Sequence, residues 1–295
     1  MNFFTTKISN NFQQELKQKL LQAGFTVSGV QNALWKASGD GVVVTCYASL
    51  KLLVQGKNCS DFVSAYFNEA SAQTEQTMFI SDEFKHDFPC WVGTDESGKG
   101  DYLGPLVTAG VLVRKEQADF LSGLNIKDSK KLDDKLILQL APKIKETCVY
   151  SVVTINPEKY NELYARFNNL NRLLAWAHAR AIENVLEQAP ECENAICDKF
   201  ANESLIKNAL FENGKKINVI QRTKAESDIA VACASVLARE EFVLRMQKLS
   251  QNYDIDFAKG GGEIPTAQAK EFIEKFGRDE LKYIAKLHFK NTTKL

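Results

Sequence analysis

Apolar residues between positions 8 and 23 recur on a helical period. Phe12, Leu16, Leu20 and Leu21 fall on one stripe and predict an amphipathic helix. Three strand-type runs follow, Phe25 to Trp35, Gly41 to Ser49 and Leu50 to Gln55, with a Gly39-Asp40-Gly41 turn between the first two. Gly56-Lys57-Asn58 closes the last run, and Ser60 stands where it can cap a helix through Phe67. Helix, strands and helix make a small α+β unit over residues 1–70. Periodicity is then lost, and the polar stretch opening N-E-A-S-A-Q-T-E-Q-T-M reads as a linker over 71–89.

From residue 90 to 295 the pattern alternates short apolar runs with long helical stripes, as in an α/β domain. Strands are expected just before Asp95, over Leu106 to Val113, Cys148 to Ile155, Asn194 to Asp198 and Ile217 to Gln221. A helix capped by Asp128 or Ser129 carries the stripe Leu132, Leu136, Leu140 and Ile144. A longer helical region runs from Pro157 to about Gln188. Within it, Asn168 and Asn169 either reach a substrate or break the helix in two. Thr223 to Arg239 opens a helix dense in Ala, Ser and Val, and small residues let a helix approach a sheet closely. A Lys259-Gly-Gly-Gly-Glu263 loop and two further helical segments complete the chain.

Composition narrows the function classes. With 37 basic and 37 acidic residues the formal net charge is zero, so a nucleic-acid surface would have to be a local patch. The seven cysteines are odd in number, lack a C-x-x-C pair and sit mostly in apolar runs. They read as reduced, buried thiols of a cytoplasmic protein, not a disulfide framework or zinc site. No cationic-then-apolar leader is present, and no stretch reaches the ~18 apolar residues of a membrane span.

Chemistry concentrates in W-V-G-T-D-E-S-G-K-G-D-Y-L-G-P, residues 91–105. Asp95 and Glu96 are adjacent carboxylates at the end of an apolar run, costly unless a cation sits beside them. Mg²⁺, which prefers oxygen ligands, is the natural candidate. Gly93 to Lys99 also matches the G-x-x-x-x-G-K frame of a phosphate-binding loop. That loop needs Ser or Thr next, where Gly100 stands, and the two acids inside it would repel an anion. A plain strand-turn-strand with solvated acids is the third reading. A flexible Gly-Lys-Gly loop beside two acids favours a metal site facing a phosphodiester.

T-D-E-S-G-K-G-D-Y-L-G-P resembles the first motif of the type 2 ribonucleases H, D-E-x-G-[RK]-G. Its Lys99, with Ser97 before it, is closer to the ribonuclease HIII branch than to HII. D-S-K-K-L at 128–132 is similar to a family segment at the same place, although a cap with solvated lysines explains Lys130 and Lys131 nearly as well. The resemblance implies a ribonuclease H-like mixed sheet flanked by helices, preceded by a small α+β domain that resembles half of a TATA-binding protein and binds substrate. Lys7, Lys17, Lys19, Lys36, Lys51 and Lys57 of that domain suit sequence-independent phosphate contact, or are simply a solvated face.

Carried onto this chain, the resemblance implies catalytic, metal-binding carboxylates at Asp95, Glu96, Asp198 and Glu226. Asp228 is the alternative for the fourth, because aligning K-A-E-S-D needs a one-residue gap. Ser97, Gly98, Lys99 and Gly100 are implied substrate contacts, the Gly-Lys-Gly backbone sensing the ribose 2′-hydroxyl. The implied activity is endonucleolytic hydrolysis of the RNA strand of RNA–DNA hybrids with two Mg²⁺ or Mn²⁺ ions ~3.5–4 Å apart, leaving 5′-phosphate and 3′-hydroxyl ends. Runs of ribonucleotides are the expected substrate, and a monomer with no obligate partner the expected state. The terminal Lys-Leu-His-Phe-Lys-Asn also resembles HIII, with His288 expected to be packed. Two rivals remain open: another metal-dependent nuclease or resolvase on the same fold, or a non-catalytic hybrid-binding protein.

Overall fold

The computed structural model describes residues 3–30, 33–67, 86–124, 126, 132–223 and 225–295. Two compact units divide the chain, Met1–Glu83 and Phe84–Leu295. The expected caps Asp128 and Ser129, the Lys130-Lys131 pair and most of the linker lie outside the described residues.

In the first unit, β1 (Phe3–Lys7), β2 (Thr26–Ser28), β3 (Ala33–Gly39), β4 (Val42–Tyr47) and β5 (Lys51–Gly56) form an antiparallel sheet in the order β1-β5-β4-β3-β2. Two helices, α1 (Asn10–Gln22) and α2 (Cys59–Tyr66), contribute to its single core. Ser9 starts α1 by accepting the Phe12 N–H at 3.1 Å. Leu16 and Leu20 are buried, whereas Leu21 is half exposed and leaves the predicted stripe. Its place in the buried face is taken by Gln13, whose Oε1 accepts from Trp35 Nε1 at 2.7 Å. This satisfies both polar groups in the core. The run from Phe25 divides into two strands, and β3 extends to the Gly39 turn. α2 begins at Cys59, so Asn58 and not Ser60 occupies the cap position.

The second unit builds a mixed sheet from β6 (Cys90–Ser97), β7 (Leu106–Arg114), β8 (Val149–Ile155), β9 (Asn194–Asp198) and β10 (Asn218–Arg222), in the order β10-β9-β6-β7-β8. The first three strands of that order are parallel; β6, β7 and β8 pair antiparallel. The helices are α3 (Lys115–Gly123), α4 (Asp134–Thr147), α5 (Pro157–Phe167), α6 (Leu170–Leu186), α7 (Glu203–Ala209), α8 (Ile229–Tyr253) and α9 (Glu263–Phe276).

Strand alternation divides β6 between two cores. Val92 packs with Ala175, Ala179 and Ile182 of α6, while Trp91 packs with the small-residue face of α8. At Gly93 the strand and α8 touch through their backbones: a Cβ there would lie 2.1 Å from the Ala230 carbonyl carbon.

Three local differences from the sequence reading have physical causes. Asp133, whose carboxylate accepts the Leu136 N–H at 2.7 Å, caps α4, leaving Leu132 ahead of the helix and Leu136 partly exposed. Asn168 adopts φ +46° and ends α5, and Asn169 then accepts the Arg172 N–H to start α6, so the asparagines break the region in two. Finally, α8 starts at Ile229, six residues later than Thr223, after a 3-10 turn over Ala225–Ser227.

The carboxy-terminal tail holds the loop between β6 and β7 from beneath. Lys286 is fully buried, and its ammonium donates to the carbonyls of Asp101 at 2.7 Å and Gly104 at 2.8 Å. Burial lowers its pKa to about 7, against a weaker opposing pull from Asp101. The folded-state pKa therefore lies below the unfolded value, so the unfolded chain binds more protons between these two values. Stability should rise from pH 7 towards pH 10, and Lys286→Met should flatten that part of the urea-unfolding profile. A second expectation concerns Gly93→Ala, which drives a methyl group into the α8 backbone and should cost roughly 3 kcal/mol or more. Thermal melting checks it, with Gly123→Ala as a control where nothing lies within 4 Å of an added Cβ.

Candidate active site

β6 and β9 run parallel with Thr94 opposite Cys197. Their next residues, Asp95, two short of the end of β6, and Asp198, the last of β9, therefore stand side by side just past the last paired position. Alternation puts Asp95 on the face of Trp91 and Gly93, and Asp198 on the face of Ile196, which is the α8 side of the sheet. Asp95 is buried and accepts the N–H of Glu96 at 2.8 Å. Asp198 Oδ1 accepts the Ala225 N–H at 3.4 Å, which ties the 3-10 turn carrying Glu226 to the end of β9. Asp198 and Glu226 are half-buried.

Glu96 leaves β6 on the opposite side, towards α6. Its Oε2 lies 3.1 Å from His178 Nε2 and its Oε1 accepts from Lys99 Nζ at 3.1 Å. Burial alone would raise this carboxyl, but the His178 hydrogen bond and the two nearby basic groups outweigh it and hold the pKa well below the usual range. Glu96 is thereby kept as an anion.

Asp228 is committed elsewhere. One of its oxygens accepts from the N–H groups of Ala230 and Val231, capping α8. Trp91 Nε1 donates to the same carboxylate at 3.0 Å, and His86 Nε2 lies 3.1 Å from it. A carboxylate with this many partners holds the helix start in place. Glu226, two residues earlier, lies in the 3-10 turn that Asp198 holds through the Ala225 N–H.

The Gly-Lys-Gly loop forms a cleft of about 260 Å³ lined by Glu96, Lys99, Gly100, Leu132, Ser235 and Arg239 among others. Gly98 has φ +85°, and a Cβ would sit 2.2 Å from the Pro105 carbonyl oxygen, so only glycine fits. Gly100 differs: nothing lies within 4 Å of an added Cβ. The loop is fixed further by Asp101, which accepts the Gly260 N–H at 2.6 Å, and by Tyr102, whose N–H donates to the Gly260 carbonyl. Arg239 forks onto Asp134, and Lys259 pairs with the same carboxylate, so two cations share one acid at the cleft rim. Those cations offset the desolvation of Asp134 and lower its pKa. His288 is packed as expected, stacked on Tyr164 with ring centres 4.1 Å apart.

Oxygen donors from three adjacent elements suit a hard divalent cation, and an anionic Glu96 beside them suits it further. Among the described residues, no three His, Cys, Asp or Glu side chains are drawn together closely enough to form a finished metal cage. The donor set fits such an ion in kind and in placement on the sheet. His178, Lys286 and Arg239 were not singled out by the sequence. Each acts through a partner between 82 and 185 residues away, and no local spacing signals such a contact. No helix among the described residues is long and apolar enough to cross a membrane.

Comparison with known proteins bears directly on this site. Residues 92–292 match the family model described as Ribonuclease HII, and residues 4–78 match a domain of unknown function (DUF3378). Ribonuclease HIII of Protochlamydia amoebophila is 41% identical over 287 residues, covering 97% of this chain and 94% of the relative. Among solved structures, Bst ribonuclease HIII in complex with Mn²⁺ superposes with a TM-score of 0.69 at 29% identity, covering 99% of this chain and 97% of its own. Aquifex aeolicus RNase H3 does so with a TM-score of 0.57 at 29% identity, covering 97% and 99%. The likeness runs through both sheets and nearly the whole sequence, and the chain belongs to the type 2 ribonuclease H family, in its ribonuclease HIII branch, as an endoribonuclease.

Proposed function

We propose that this protein hydrolyses the RNA strand of RNA–DNA hybrids at the carboxylates of β6, β9 and the turn before α8, leaving 5′-phosphate and 3′-hydroxyl ends. Asp95, Glu96, Asp198 and Glu226 hold two Mg²⁺ or Mn²⁺ ions. The observation that carries the reading is that Asp95 and Asp198 directly follow the paired Thr94 and Cys197 of parallel β6 and β9, with the turn that carries Glu226 tied to Asp198. Bound there, the ions supply Lewis acidity that favours hydroxide as the attacking species and offsets charge on the departing 3′-oxygen.

The chain's own residues do the rest. Asp95, buried beneath the strand ends, and Asp198 beside it fix where the scissile phosphate can sit. Lys99, on the same loop, meets phosphate charge. The backbone of Gly98, Lys99 and Gly100 approaches the ribose and senses its 2′-hydroxyl, which distinguishes RNA from DNA. The empty space on the side of Gly100 where a Cβ would stand supports that role, since it leaves room for close approach there. Ser97, at the start of the loop, contributes a hydroxyl. The amino-terminal unit contributes phosphate contact through its lysines, and runs of ribonucleotides are the preferred substrate. The Mn²⁺ in the Bst ribonuclease HIII structure supports a divalent ion as cofactor here.

An end-labelled RNA–DNA hybrid tests the reading directly. Cleavage should require Mg²⁺ or Mn²⁺, cut only the RNA strand and spare an all-DNA duplex. Asp95→Asn should lower kcat by at least about 10²-fold, the scale of losing one preorganised electrostatic partner. A hybrid bound but uncut under every metal condition would refute hydrolysis, and cutting of the DNA duplex would refute 2′-hydroxyl sensing.

The roles of Glu226 and Asp228 separate in a second comparison. Glu226→Gln should abolish cleavage with an unchanged melting temperature. Asp228→Ala should destabilise the fold, by roughly 1–2 kcal/mol for the lost cap and about 1–3 kcal/mol for the orphaned Trp91 N–H. The reverse pattern would reassign the fourth carboxylate to Asp228.

A further inference from the structure

His178 sits in the middle of α6, fully buried, and both ring nitrogens are engaged. Nδ1 lies 2.8 Å from Thr94 Oγ1 and Nε2 lies 3.1 Å from Glu96 Oε2. An ionised carboxylate can only accept, so Nε2 carries the proton that it donates to Glu96. The second ring nitrogen, Nδ1, meets the Thr94 hydroxyl, so the imidazole links Thr94 to the Glu96 carboxylate. Phe200 stacks on the ring, 5.0 Å between centres and 17° from parallel, which restricts its rotation.

Glu96 is thus held from two sides by partners of different character. Lys99, on Oε1, has a side chain 38% exposed and is free to leave when phosphate arrives. His178, on Oε2, has a side chain with no exposure and cannot leave. Thr94 and Glu96 lie two residues apart on one face of β6, so the ring bridges successive side chains of that strand. An apolar residue would fill the same space at lower desolvation cost, because the neighbouring α6 positions are Ala175, Ala179 and Ile182. A buried imidazole here serves the carboxylate it touches.

We propose that His178 is a positioning residue that fixes the rotamer and charge distribution of Glu96 towards the divalent ions, with Thr94 fixing the orientation of its ring in turn. This inference rests on the reading of Asp95, Glu96, Asp198 and Glu226 as the ligands. A partner one step removed from a metal typically changes affinity or activity 10–100-fold when removed.

The test uses the full-length protein without nucleic acid. Free Mn²⁺ is counted by electron paramagnetic resonance during titration of the wild type, His178→Ala, His178→Gln, Thr94→Val and Asp95→Asn. Cleavage of an RNA–DNA hybrid is measured separately at saturating Mn²⁺, and melting temperatures are recorded throughout. His178→Ala should weaken Mn²⁺ binding about 10–100-fold, with a comparable fall in kcat and an unchanged KM for the hybrid. His178→Gln, whose amide N–H can still reach Glu96, should recover part of both losses. Thr94→Val, nearly isosteric, should fall between the wild type and His178→Ala.

Wild-type Mn²⁺ affinity in His178→Ala, with only its melting temperature lowered, would overturn the proposal. If His178→Ala does not fold, Thr94→Val decides, and wild-type affinity and kcat in that variant would overturn it equally. Asp95→Asn separates the two levels of inference. Weakened Mn²⁺ binding in Asp95→Asn alongside an unaffected His178→Ala defeats the role of His178 alone. Unweakened binding in Asp95→Asn defeats the carboxylate centre, and this inference with it.

Discussion

The backbone contact between Gly93 and Ala230 is the constraint on which the catalytic unit depends. A strand and a helix ordinarily stand apart by the depth of their side chains. Here the absence of a side chain at Gly93, and the run of alanines in α8, let the two meet directly. The first turn of α8 is thereby drawn against the end of β6, and the 3-10 turn before it lands beside Asp198. Asp228 secures that arrival by capping the helix while receiving Trp91 from the strand. One small residue thus lets the turn that carries Glu226 arrive beside the strand that carries Asp95, 131 positions earlier.

Around that contact the acids divide by side of the sheet. Asp95 and Asp198 face α8, while Glu96 departs towards α6 and is met by His178. Placing adjacent carboxylates on opposite faces separates their charges more than their sequence neighbourhood implies. It also gives each its own support: a backbone N–H for Asp95, an imidazole and an ammonium for Glu96. The loop that follows is held on the far side by Lys286, Gly260 and Asp101, so the segment bearing Gly98, Lys99 and Gly100 has fixed ends and an open middle.

Most of the strand plan was legible because buried strands are short, apolar and punctuated. Leu106 to Val113 and Asn194 to Asp198 could be read almost to the residue. β1 was missed, since Phe3-Phe4-Thr5-Thr6-Lys7 has no turn signal before it and owes its place to pairing with β5, about 45 residues on. The start of α8 was read too early because the small-residue composition begins before the helix does, and Asp228 is a stronger cap than anything upstream. Asp95, Glu96 and the Gly-Lys-Gly loop could be seen as chemistry because they are contiguous. His178 could not, because A-W-A-H-A-R reads only as helix, and its meaning depends on Glu96, 82 residues earlier.

The order of strands carries a consequence for synthesis. The amino-terminal sheet is joined largely by neighbours in sequence, so its pairings can form as each strand emerges. The second sheet cannot be assembled that way. β6 waits for β9, its parallel neighbour, roughly a hundred residues later, and the 3-10 turn that carries Glu226 follows after that. Asp95 is therefore translated long before anything exists to complete it. A ribosome-bound chain that has folded its first unit and made β6, β7 and β8 holds Asp95 and Glu96 without Asp198 or Glu226. In this topology the strands that bear Asp95 and Asp198 meet only after most of the chain has been made.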